Sequence, residues 1–315
     1  MRLWALTILV ALATPAASVN SRATVSGDTQ DSLRALQRDD QRVADTAWRI
    51  ASRNAYTCPK LWASLGLSLH HVSQYEPAYR AAAQAAFGLD DSYPSLLAVA
   101  EGSPASAAGF KPNDTVRAVN GADLADKSGV QKRSASYDAV SAAMAALEAL
   151  PEQGAAVLSI ERGGQRLEVS VAPQNVCRSR VELAPGNAVN ANANGLVAQI
   201  SGRLVNWIES DDELALVIAH EMAHNLMDHP KRLSQKSALS GLATSLGLAG
   251  KAQRQMELDA DRMGIFMAAS AGYNYKIAPD FWAKLNANSH SPHFWRLHTP
   301  RRGRDARMRR GLWKK

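Results

Sequence analysis

The chain has 315 residues, 46% apolar and 21% charged, a composition that excludes disorder, collagen and coiled coil and leaves room for two domains with buried cores. Its formal charge of +7 is concentrated: residues 301–315 hold eight Lys or Arg against one Asp, so the rest of the chain sums to zero. Nucleic-acid binding needs basic residues spread over a folded face and is not expected. Two cysteines are too few for a four-thiolate zinc site, so any metal must be held by His and carboxylates.

Met1 and Arg2 precede an apolar run from Leu3 to Ala13, and Thr14 to Ser18 are small residues suited to signal-peptidase cleavage. Residues 1–18 are therefore read as a signal peptide, too short in its apolar part to span a bilayer, and the mature protein as periplasmic or secreted. Export places Cys58 and Cys177 in an oxidising compartment where they can pair. Residues 19–86 are read as a linker and helices; from Asp31 to Ala55 the apolar positions Leu33, Leu36, Val43, Ala47 and Ile50 keep helical spacing.

From Phe87 to Pro173 the pattern changes. Leu96–Ala100 and Thr115–Val119 read as strands, Ser103–Gly109 as a short helix, Ser136–Leu150 as an Ala-rich helix, and Val157–Glu161 with Leu167–Val171 as a hairpin around Gly163-Gly164. The order, and the stretch SPASAAGFKPNDTVRAVNG in particular, resembles a bacterial PDZ domain over residues 87–174. The resemblance implies a groove beside the Ser136–Leu150 helix that adds a C-terminal peptide as a strand, with a carboxylate loop near Gly88-Leu89. Cys58 lies before this unit and Cys177 just after it; a bridge between them would clamp the two crossings into an inserted domain, leaving the N-terminal helix with the C-terminal half.

Residues 175–315 carry the chemistry. Ser210 and three acidic residues open a helix that runs through DDELALVIAHEMAHNLMDH without Pro or Gly until Pro230. His220 and His224, at i and i+4, rise from one face a turn apart, as gripping one Zn²⁺ requires. Glu221 can reach a water on the metal and take its proton during attack on a carbonyl. An H-E-x-x-H match arises by chance on the order of once in a hundred such chains, and two unliganded histidines in an apolar helix would carry a burial cost. On a second helix Glu257 can complete the His, His, Glu set, and Asp261, one turn on, can accept a hydrogen bond from a ligand imidazole.

From about Asn187 to Met308, DELALVIAHEMAH, the Glu257–Asp261 pattern, and His298 with Arg304 six residues later resemble the HtpX-like and CAAX-prenyl-endopeptidase-type zinc metallopeptidases. The resemblance implies zinc on His220, His224 and Glu257, with Glu221 as general base, and an α+β fold: a mainly helical zincin-type domain with a small sheet, interrupted by the PDZ-like unit. His298 is a candidate catalytic residue, either stabilising the oxyanion or latching the open zinc position; His229, His290 and His293 are read as surface or packing residues. The expected activity is an exported zinc endopeptidase acting on polypeptides of the envelope or misfolded proteins, with a C-terminal peptide ligand at the PDZ-like unit. The alternative is a chaperone-like or peptide-binding protein with gated or minor hydrolysis. Ser237–Gly250, uncharged, or the basic tail could touch a membrane peripherally.

Overall fold

The computed structural model describes residues 21–127, 134–238 and 248–288. It is a mixed α+β structure. Helix α1 spans Ser21–Arg53, beginning ten residues ahead of the expected Asp31, so part of the stretch read as linker is helical. Its buried face, Val43, Trp48, Ile50 and Ala51, belongs to the same core as Leu214, Val217, Met222, Met267 and Phe281 of the C-terminal half. Immediately after it, strand β1 (Leu61–Ser64) pairs antiparallel with β8 (Gln174–Cys177), Leu61 opposite Cys177. The Cys58–Cys177 disulfide, with Cα atoms 5.5 Å apart, closes the same junction, so the chain leaves and re-enters the C-terminal core through one doubly tied point.

Between these crossings lies a sheet of order β2-β3-β4-β6-β7, with β5 (Ala122–Asp123) beside β4. Its strands are β2 (Leu67–His70), β3 (Ser95–Val99), β4 (Thr115–Val119), β6 (Ala156–Arg162) and β7 (Gln165–Val171). The period-2 runs of Val, Leu and Ile put Leu96, Val116, Leu158 and Ile160 on one face, packed on Val140, Met144 and Leu147 of helix α4 (Asp138–Glu148). The sheet begins at Leu67, ahead of residue 87 where the sequence pattern placed the start of the unit. Strand β2 contacts α4, as does β1 just before it. Gly88 does not serve as a loop there: it caps helix α2 (Pro77–Phe87) in a left-handed conformation, and Leu89 is buried with Val72, Ala83 and Phe87. The turn entering β2 holds Gly66 at φ 75, with Ser103 Cβ only 2.4 Å from where a side chain would begin; only glycine fits.

The third sheet, β10-β11-β9, pairs β9 (Arg180–Ala184) parallel to β11 (Val197–Ser201), with β10 (Ala191–Ala193) antiparallel on the other side. It lies against helix α6 (Asp211–Leu226), which follows α3 (Pro104–Ala107) and α5 (Gly202–Trp207) in chain order. Helices α7 (His229–Ala238), α8 (Leu248–Ser270) and α9 (Ala278–Asn288) complete the described chain. Residues 1–18, residues 239–247 of the Ser237–Gly250 stretch and the basic tail lie outside the described residues. No helix among the described residues is long and apolar enough to cross a membrane.

Candidate metal centre

Helix α6 starts where the sequence says it should. The Ser210 side chain accepts from the Glu213 amide, and Asp211, Asp212 and Glu213 occupy the first turn, where negative charge meets the positive end of the helix. Every residue from Glu213 to Leu226 is buried, so the helix is enclosed on all sides, and its two histidines and Glu221 are held in the interior. Asn225 ties the helix to its sheet: its Oδ1 accepts from the Gly195 amide at 2.7 Å and its Nδ2 donates to Ser179 Oγ at 2.9 Å.

Helix α8 brings up the carboxylates. Glu257, Asp261 and Gly264 fall at i, i+4 and i+7 and share the face toward α6. A Cβ on Gly264 would lie 2.9 Å from the His220 backbone nitrogen and 3.0 Å from its Cα, so the missing side chain is what lets the two backbones approach. The result is a tight cluster. His220 Nε2 and His224 Nε2 are 3.0 Å apart, and Glu257 Oε2 is 3.5 Å from each. Asp261 Oδ1 sits 3.1 Å from His220 Nδ1, and Trp282 of α9 packs on the His220 ring with centroids 5.6 Å apart.

A tetrahedral ion with bonds of about 2 Å needs its ligand atoms roughly 3.3 Å apart. The three donors, all within 4.8 Å of one another, meet that requirement, and two imidazoles with one carboxylate are a donor set suited to Zn²⁺. Electrostatics point the same way. Burial disfavours the charged form of His220, but Asp261 and Glu257 overcome it and push its pKa up to about 10; the pocket is built to stabilise a positive charge.

The structure brings His220, His224 and Glu257 together, sets Asp261 beside His220 and carries Glu221 next to His220 on the same helix, whereas His298, His290 and His293 lie outside the described residues. Two departures stand out. The helix does not run on to Pro230; it ends at Leu226 and breaks at Asp228, which has φ 57. Through that break His229, read as a surface or packing residue, enters the cluster, its Nδ1 3.0 Å from His224 Nδ1; burial, then the nearby His224, pushes its pKa down to about 4. A third His at spacing five from the second was the only available signal. Gly264 was equally unmarked.

Residues 165–250 match the profile described as Peptidase family M48. The chain is 32% identical over 98 residues to the mitochondrial metalloendopeptidase OMA1 of Arabidopsis thaliana, covering 26% of this chain and 20% of that one. It is 31% identical over 127 residues to a putative beta-barrel assembly-enhancing protease of Vibrio cholerae serotype O1, covering 31% and 26%. The chain therefore spans about a quarter or less of the length of these relatives. A crystal structure of the HtrA3 PDZ domain bound to a phage-derived ligand (FGRWV) aligns with 37% of this chain and 90% of its own, at 21% identity and a TM-score of 0.28. Over residues 165–250 the chain is thus similar to M48 peptidases, and it carries a His, His, Glu cluster of a kind that can hold a metal ion.

Proposed function

We propose that the protein is an exported zinc-dependent endopeptidase. The observation that carries this reading is the buried His220, His224 and Glu257 cluster with Glu221 next to the first histidine on the same helix. Zn²⁺, when bound there, supplies Lewis-acid polarisation of the scissile carbonyl. Glu221 then takes the proton of the attacking water and returns it to the leaving amine, and Asp261 orients His220. A peptide-binding adaptor would have no use for a base beside three metal donors. The enclosed site suits a base held away from bulk water. Zinc content and casein cleavage of wild type and Glu221→Gln test this: the variant keeps zinc and loses hydrolysis. A Glu221→Gln variant as fast as wild type would remove Glu221 as the base.

The finer assignments are further parts of the proposal. The signal peptide at residues 1–18 and the Cys58–Cys177 bridge favour the periplasm or the extracellular space, with envelope or misfolded polypeptides as substrates. The β2–β7 sheet with α4 against β2 suits a PDZ-like unit for a C-terminal peptide. The Ser237–Gly250 stretch or the basic tail is proposed for peripheral membrane contact. For His298 the latch and oxyanion roles have opposite sign: His298→Ala raises the rate if it latches the cleft and abolishes it if it stabilises the oxyanion. An unchanged rate excludes both.

A further inference from the structure

A histidine that ligates a metal through Nε2 must carry its one proton on Nδ1. A buried N–H needs an acceptor. His220 has Asp261 for this purpose, 3.1 Å from Nδ1. On His224 the atom facing Nδ1 is Nδ1 of His229, at 3.0 Å, with both side chains buried and their rings 4.9 Å apart at 74°.

That meeting is produced by the break after α6. In a continuous helix a residue five positions on lies about 140° around the axis and could not face His224. Here the helix ends at Leu226, the Met227 amide bonds to the Ala223 carbonyl at 3.0 Å, and Asp228 turns left-handed at φ 57. The chain then restarts as α7 at His229 with the ring swung back under His224. Asp is among the few residues that tolerate this conformation, and the turn is braced: Asp228 Oδ1 is 2.5 Å from Lys60 Nζ, and the Lys60 carbonyl accepts from the Arg178 amide at 2.9 Å. Lys60 and Arg178 flank the disulfide, so the brace is anchored at the junction that closes the inserted region.

We propose that His229 is a positioning residue for the metal centre: with its Nδ1 lone pair accepting the His224 Nδ1–H, it holds His224 in the tautomer that leaves Nε2 free for the ion. This rests on the reading of His220, His224 and Glu257 as metal ligands. The opposite assignment, with His229 donating, would put the His224 proton on Nε2, which lies 3.0 Å from His220 Nε2 and would remove one ligand. Nε2 of His229 has no hydrogen-bond partner among the described residues, so a proton there carries a burial cost; the assignment holds only where the bond from His224 Nε2 to the ion outweighs that cost, and it is therefore tied to the metal-loaded state.

The test uses the full mature chain stripped of metal and titrated with Zn²⁺ or Co²⁺ against a chelator. His229→Phe, close in shape but lacking an acceptor, is expected to weaken metal binding about 10- to 100-fold and to alter the visible absorption of the Co²⁺ protein. His229→Gln, which restores an acceptor, recovers most of the affinity. Wild-type affinity and an unchanged Co²⁺ spectrum in the Phe variant would overturn the proposal. ¹⁵N NMR of the histidines in the zinc-loaded wild type reads the tautomers without any substitution: His224 protonated on Nδ1 and His229 on Nε2 support the proposal, and a proton on His229 Nδ1 refutes it. Failure of the metal reading itself looks different, because wild type and His220→Ala would then bind Zn²⁺ equally poorly.

Discussion

His220 and His224 stand one turn apart on the same helix, yet they lean on unlike partners: a carboxylate at 3.1 Å for the first and an imidazole at 3.0 Å for the second. The anionic partner makes the first imidazole the more basic ligand. His220→Ala or Glu257→Ala is expected to abolish zinc retention after dialysis, whereas Asp261→Ala lowers metal affinity or activity by about 10- to 100-fold, since it only orients a ligand. Because His220 is held protonated up to about pH 10 by Asp261 and Glu257 in the ion's absence, metal must displace that proton. Affinity therefore falls as pH falls, approaching tenfold per unit below that pKa. Calorimetric titration of Zn²⁺ in buffers of different ionisation enthalpy should report proton release near pH 7.5, and an uptake independent of buffer would refute the assignment.

At the scale of elements, the centre exists because α6 and α8 touch backbone to backbone at Gly264. Replacing a helical glycine by alanine ordinarily gains about 1 kcal/mol of helix propensity. Here the new methyl would meet the His220 main chain at 2.9–3.0 Å, a neighbour that cannot rotate away, and overpacking of this kind costs about 1–3 kcal/mol. Gly264→Ala should therefore destabilise on balance and weaken zinc binding by moving Glu257 away from the histidines, read by thermal unfolding and by chelator competition. The disulfide acts at the other joint. It ties residues 119 apart in sequence, and its reduction is expected to cost about 2–5 kcal/mol, lowering the unfolding midpoint while β1 and β8 retain their ladder.

Across the molecule, acid sensitivity comes from buried histidines as well as from the metal centre. His70 is enclosed beside Tyr75 and Phe87, and burial, then the adjacent His71, pushes its pKa down to about 3. With an ordinary value near 6.5 in the unfolded chain, the unfolded state binds more protons between those limits. His70 thus contributes full stability above about pH 6.5 and loses it on acidification, at a slope approaching 1.4 kcal/mol per unit. Asp40 has the opposite sign: burial, with Asp39 and Glu182 nearby, pushes it up to about 7, so it favours the folded state on acidification over part of the same range. The His70 term is best read as a difference. His70→Phe should unfold with a shallower dependence between pH 6.5 and 5 than wild type, despite a constant penalty for depriving the Tyr75 hydroxyl of its partner; equal slopes would refute the assignment.

Local chemistry was legible in the amino-acid sequence. Ser210 and the acidic first turn announce α6, the i, i+4 histidines and the i, i+4 carboxylates need only helical periodicity to be placed on one face, and β4, α4 and the β6–β7 hairpin follow from alternation, Ala content and Gly163-Gly164. All of these depend on neighbours within a few residues. Strand β2 did not show itself, because Leu67–His70 earns its place by pairing with β3 nearly thirty residues on. The start of α1 was likewise hidden, since its polar first turns give no apolar period. The entry of His229 depends on a left-handed Asp228 and on Lys60, distant in sequence but brought in at the disulfide junction, and the closeness of α8 to α6 on the absence of one Cβ at Gly264. The sequence by itself singled out the side chains proposed to hold a metal and activate water, because residue type and helical spacing suffice for that. Only the tertiary structure decided which groups orient those ligands and how closely the carboxylates approach, because those distances are set by contacts between segments far apart in the chain.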